Sequence, residues 1–173
     1  DEEVSPELRA EILDELEGHA GDYVGYQFPR MVNYIGRWIR HGEWYPDVKL
    51  RLFLKDRGRS GGQEPHDQVF VNGPVKTLKN HLWHYTYDDL HDHLETMNRF
   101  SSITAQEKMR AGSKFFRPPF RFFKAFILRG GFLDSWRGFL IALISAFGVA
   151  MKYAKLWELE YRARRGESTP TAP

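Results

Sequence analysis

An α/β fold that gives way to a helical C-terminus is predicted by three features of the sequence. Val48, Leu50, Leu52 and Leu54 recur at every second position, apolar residues recur at helical spacing at Leu8, Ile12, Leu13 and Leu16 and again at Leu90, Leu94 and Met97, and the stretch from Gly138 to Met151 carries no charge. With 42% apolar and 15% aromatic residues among 173, the chain can bury a core, which argues against wholesale disorder.

Taken in order, Ser5 is a good N-cap and Pro6 suits a first helical turn, so a helix is predicted from Ser5 to about Glu17. Tyr23, Val24, Tyr26, Phe28, Met31 and Val32 predict extended structure, confined by Pro29 to an edge or ended there. Residues 33–40 read as a short helical turn. The 48–54 alternation predicts a strand that breaks at Arg57-Gly58-Arg59-Ser60-Gly61-Gly62. Further strands are predicted at 68–71 and 75–85, separated by the turn Asn72-Gly73-Pro74. Two helical stretches follow, 90–99 and 105–112.

The C-terminal third is different in kind. Residues 115–128 interleave phenylalanines with Arg117, Arg121 and Lys124, and Gly130-Gly131 separates them from an apolar segment reaching Leu159. The charge-free stretch is about 14 residues, or ~21 Å of helix, short of the ~20 residues that a span needs. An interfacial or re-entrant helix fits it better. The tail from Arg162 to Pro173 is polar and reads as disordered. The domain division expected is therefore 1–104, 105–161 and 162–173.

A formal charge of +2, from 25 basic and 23 acidic residues, excludes a global polycation for nucleic acid. Charge is instead concentrated between Glu107 and Arg137, where eight cations face two acids. Aromatics for the headgroup zone and cations for lipid phosphates are what an interfacial anchor requires, and Arg117, Phe120, Arg121, Phe122, Lys124, Phe132, Trp136 and Arg137 supply both. The competing reading is an amphipathic helical hairpin packed on a partner protein. The absence of cysteine removes disulfides, zinc-thiolate sites and thiol nucleophiles together. His91 and His93, with Asp88, Asp89, Asp92 and Glu95, resemble a metal cluster but read as the outer face of a helix.

Five collinear pieces resemble family 2 glycosyltransferases of the lipopolysaccharide-core glucosyltransferase type. They are Asp1-Glu2-Glu3-Val4-Ser5-Pro6-Glu7-Leu8, Trp44-Tyr45-Pro46-Asp47 with Lys49-Leu50-Arg51-Leu52-Phe53, Gly61-Gly62 through Pro65-His66-Asp67, His84-Tyr85-Thr86-Tyr87, and Gly131-Phe132-Leu133-Asp134 through Trp157. The resemblance implies the acceptor-side, C-terminal half of a GT-A fold followed by membrane-associated helices. It also implies that Asp1 and Glu2 stand at the end of an Asp-x-Asp motif whose preceding half lies outside this sequence, so that the chain is a piece of a longer enzyme.

Inverting sugar transfer needs a divalent cation for the leaving diphosphate, a base for the acceptor hydroxyl and a dry acceptor pocket. By resemblance Asp1 is a ligand of Mg or Mn and Asp67 is the base. His66 stands where many relatives have Glu, which keeps Glu64 as the alternative base. His84 is a candidate second ligand; the competing reading is a packed strand histidine, and His81, three residues away, points to the other face of a strand. Read from the residues alone, the acidic N-terminus is equally a charge complement to the helix that Ser5 starts.

Trp44, Tyr45, Arg51 and His66 are candidates for binding the acceptor, aromatics because sugar faces are apolar and Arg because phosphate invites a bidentate donor. The implied partners are a nucleotide-sugar donor, a lipid-linked glycan and the cytoplasmic face of a bacterial inner membrane, met peripherally or monotopically, and no nucleic acid. The rival from another class is a non-catalytic, membrane-peripheral binding module.

Overall fold

The structure, a computed structural model, describes residues 1–18, 21–63, 66–111 and 118–167. It is mixed α/β and divides into two compact units, residues 1–40 with 44–86, and 41–43 with 87–173.

The first unit is built on one long strand, β2 (Gly25–Tyr34). Strand β4 (Asp47–Phe53) runs antiparallel along its first half and β3 (Arg37–Ile39) along its second. Strands β7 (Val75–Thr77) and β8 (Leu82–Tyr87) also neighbour β2, and β1 (Glu2–Val4) closes the sheet antiparallel to β8. A separate antiparallel ribbon is formed by β5 (Gly58–Gln63) and β6 (His66–Val71).

Helix α1 (Pro6–Gly18) starts as predicted: the buried Ser5 Oγ accepts the Leu8 N–H at 3.1 Å, satisfying one of the first-turn donors that lack an intrahelical partner. It lays Leu8 and Ile12 on Tyr26, Phe28, Leu78 and Leu82 to make the core of this unit. Burial of such side chains contributes roughly 1.5–3 kcal/mol each.

Four sequence expectations are corrected by the structure. Residues 33–40 are a hairpin, not a helical turn, because Ile35 and Gly36 both take positive φ (48° and 70°) and Tyr34 pairs with Arg37 across them. That two-residue geometry matches the right-handed twist of its strands, which a helical turn here would not. The expected strand at 75–85 is two strands. Between them Glu11 of α1 reaches over and accepts the backbone N–H groups of Lys79 and Asn80, both at 2.9 Å, so those groups are paid by a carboxylate and not by a ladder.

The third correction lies in the second unit, where the helices expected at 90–99 and 105–112 are one helix, α2 (Leu90–Ala111). The residues between them are absorbed because Ser101 and Ser102 hydrogen-bond back to the Asn98 carbonyl and Thr104 to that of Phe100. His93 is also not on an outer face: it is buried and stacked on Tyr87 at 4.5 Å.

Helix α3 (Pro118–Phe123) opens on two prolines, which its first turn tolerates, and runs into a π-helical turn at Lys124–Leu128 and a 3₁₀ turn at Gly131–Asp134. Helix α4 (Ser135–Arg164) follows, 30 residues or roughly 45 Å long. The helix therefore extends well beyond its charge-free stretch. It packs on α2 through Leu156 and Leu159 against Ala105, with Met109 and Tyr153 alongside.

Candidate functional site

In the first unit, pairing of β1 with β8 sets Glu2 opposite His84, and the Tyr85 N–H donates to the Asp1 carbonyl at 2.8 Å. The strand register thus brings the two residues proposed as metal ligands together: Asp1 Oδ2 lies 4.0 Å from His84 Nε2. The two environments differ sharply. The Asp1 side chain is 79% exposed and that of His84 only 14%. Burial, reinforced by the nearby Arg30 guanidinium, pushes the His84 imidazole down to about 4, so at neutral pH it is uncharged. Its Nδ1 lies 2.8 Å from the Thr86 hydroxyl, which orients the ring and leaves Nε2 toward Asp1.

One carboxylate oxygen and one neutral imidazole nitrogen form a donor set that suits Mn better than Mg, which prefers oxygen throughout. Among the described residues no group of three His, Cys, Asp or Glu side chains is placed to hold a metal, so a cation here would find two protein ligands at most.

Beside this pair runs a chain of charges. Asp47 accepts from Arg30 Nη2 at 2.7 Å, Arg30 Nη1 donates to Glu2 at 2.9 Å, and Arg51 donates to Glu2 from Nε at 3.1 Å and from Nη2 at 3.2 Å. Burial alone would raise the Glu2 carboxyl, but the two guanidinium groups outweigh it and hold the group below its ordinary range. Arg51, expected from sequence at an acceptor, thus has donors committed to β1. Trp44 meets Tyr34 edge-on at 5.3 Å, and the Tyr45 hydroxyl lies 3.0 Å from His81 Nε2 with the two rings stacked.

His66 and Asp67 fall on β6, where the register sets them opposite Gln63 and Gly62. Their side chains, like Glu64 and Arg117 altogether, lie outside the described residues. Sequence reasoning missed a second aromatic group on the sheet: Trp38, Trp83 and Tyr85, with ring centroids 5.5–5.6 Å apart and the Tyr85 hydroxyl donating to Glu3 at 3.3 Å. The only signal for it was alternation within 83–85.

In the second unit Asp134, 3% exposed, accepts the His41 N–H at 2.7 Å and lies 3.2 Å from His41 Nδ1. The Gly42 N–H donates to the Arg129 carbonyl at 2.8 Å, and Arg121 pairs with Glu43 at 2.8 Å. Of the residues proposed to meet a membrane, Phe120, Phe132 and Trp136 are exposed, with Arg121 and Lys124 exposed among them and the Arg137 guanidinium over the Trp136 ring at 4.5 Å. Phe122 is half-buried, stacked on Phe126 and edge-on to Phe139. Exposed Phe123, Ile127, Leu128 and Leu133 extend the same surface beyond the residues picked out from sequence.

Three relatives resemble the chain over nearly all of its length. An uncharacterized glycosyltransferase of Rickettsia typhi is 30% identical over 180 positions, covering 95% of this chain and 62% of the relative. Uncharacterized glycosyltransferases of Rickettsia prowazekii and Rickettsia felis are 26% and 28% identical, covering 95% and 91% of this chain. The chain spans 62% of the length of each of these relatives. No family model and no solved structure matches it.

Proposed function

We propose that this chain is the acceptor-side part of an inverting, metal-dependent glycosyltransferase of GT-A type, which moves a hexose from a nucleotide donor to a lipid-linked saccharide in cell-envelope synthesis. The observation that carries the reading is the approach of the Asp1 carboxylate to within 4.0 Å of a neutral, half-buried His84 across β1 and β8, in a chain similar to three glycosyltransferases.

A divalent cation bound by Asp1 and His84 would offset the charge developing on the departing nucleoside diphosphate. Asp67 takes the proton of the acceptor hydroxyl as that oxygen bonds to the anomeric carbon from the face opposite the leaving group, and the bond from anomeric carbon to phosphate oxygen breaks with inversion. Glu64 is the alternative base. Trp44 and Tyr45 offer apolar faces to the acceptor sugar, and His66 and the Nη1 of Arg51, whose Nε and Nη2 hold Glu2, hydrogen-bond its polar groups. The exposed aromatic and basic surface of the second unit holds the enzyme on the cytoplasmic face of the membrane, where the acceptor lipid resides. The helix Gly131–Arg164 is long and apolar enough to cross a membrane by length and composition, which supports association with a bilayer.

The test is the Asp67→Asn variant of the full-length enzyme. Turnover is expected to fall by at least ~100-fold, the scale of general-base catalysis, with donor binding retained. Near-normal turnover in Asp67→Asn, with loss on Glu64→Gln, transfers the role to Glu64; normal turnover in both removes the mechanism.

A further inference from the structure

We propose that α4 lies flat in the bilayer surface along its whole length and does not cross the membrane, and that its lipid-facing residues are Trp136, Phe139, Leu143, Phe147, Trp157 and Tyr161. This rests on the membrane association proposed above and adds its geometry.

At 100° per residue those six positions fall within an arc of about 80°. All six are exposed, from 41% at Phe139 to 67% at Trp157, which is unusual for large apolar side chains in a row. The two remaining positions in the arc are Ala150 and Ala154, so no charge interrupts a stripe roughly 38 Å long.

The opposite side of the helix decides between lying and crossing. There Gly148 admits Met97 of α2, and Leu156 and Leu159 pack on Ala105. Between these contacts Lys155 Nζ lies 2.7–2.8 Å from the Asn98 carbonyl, Asn98 Oδ1, Ser101 Oγ and Ser102 Oγ, its three N–H groups shared among the four oxygens. Helix α2 thus travels with α4, and it carries Glu95, Arg99, Glu107 and Lys108. A crossing α4 would draw those charges and the Lys155 cluster to the depth of the hydrocarbon, where unpaired polar groups are costly. A flat α4 keeps them on the water side and buries only the stripe.

The charge at the stripe's ends favours a lipid surface as its occupant over a second protein. The Arg137 guanidinium sits 4.5 Å from the Trp136 ring and that of Arg165 sits 5.6 Å from the Tyr161 ring. Aromatic bodies at headgroup depth with cations beside them are the composition of an interfacial helix, and the Arg165 guanidinium also pairs with Glu167 at 3.1 Å.

Because the chain has no cysteine, single spin labels can be placed cleanly. Leu143→Cys, Phe147→Cys and Ala154→Cys variants of the full chain, all at exposed positions, would be labelled on vesicles of phosphatidylcholine and phosphatidylglycerol and their depths read from oxygen against nickel-chelate relaxation. A flat helix places all three at one shallow depth, about 5–10 Å below the headgroups. A crossing helix separates the labels at 147 and 154 by about 10 Å in depth, which would overturn the proposal. Labels that oxygen and lipid do not reach show the stripe covered by protein and overturn it equally. Flotation of the same samples separates the two levels: a chain that floats with a crossing profile removes only the flat geometry, and a chain that stays with the aqueous fraction removes the membrane reading as well.

Discussion

Gly138 stands so close to Gly131 that a Cβ at 138 would lie 1.8 Å from the Gly131 carbonyl oxygen. The neighbour is backbone, so it cannot swing aside as a flexible side chain could. The contact seats the start of α4 on the 3₁₀ turn that carries Asp134. Gly138→Ala is expected to destabilise the second unit by about 1–3 kcal/mol, as overpacking does. Urea unfolding followed at the tryptophans measures it, and a loss under about 0.5 kcal/mol would show that the turn yields freely.

The cap of α1 offers a second measurement in the first unit. Ser5→Ala removes the oxygen that accepts the Leu8 N–H in a buried setting. A loss of about 1 kcal/mol is expected, with Ser5→Asp retaining most of the stability. Equal losses in both variants would mean that shape at this buried position, not the hydrogen bond, is what matters.

Acid should act through His93. Burial lowers its imidazole from 6.5 to about 4, so the fold holds it neutral against Tyr87. The unfolded chain takes up a proton near 6.5 and the native chain only near 4, so stability is complete above about 6.5 and is lost as pH falls from there toward about 4. His93→Gln should flatten that part of the stability profile. An unchanged slope in the variant would assign the acid sensitivity to other groups, His84 first among them.

Lys155→Met tests the tie between α2 and α4. Its ammonium binds four acceptors on α2, and replacing it leaves them to water. About 1 kcal/mol should be lost, with faster amide exchange around Asn98 to Ser102. Unchanged exchange there would show that Leu156 and Leu159 hold the pair alone.

The legible parts of this chain were those in which local chemistry and fold agree. Ser5, Pro6 and the spacing of Leu8 and Ile12 located α1 because a cap is a local feature. The hairpin at Ile35-Gly36 was missed because its turn lacks the Asn or Asp that usually marks positive φ. The break between β7 and β8 was hidden because its donors are satisfied by Glu11, some seventy positions away in sequence. His93 read as surface because acidic neighbours surround it in sequence, while its partner, Tyr87, lies six residues before it. Of the site, Asp1 and His84 were visible through resemblance, but only the β1 and β8 register brings them together. The stripe on α4 was present in sequence as spacing, yet which side faces α2 depends on Lys155 and Gly148 finding their partners.

The central claim is transfer of a sugar, and the most direct measurement offers the full-length protein labelled nucleotide sugars together with a bacterial lipid extract and Mn. The account predicts label entering the lipid fraction, a new linkage of inverted anomeric configuration, and loss of transfer on Asp67→Asn. Folded, vesicle-bound protein that moves no label from any nucleotide sugar would contradict it and leave a membrane-peripheral binding module in its place.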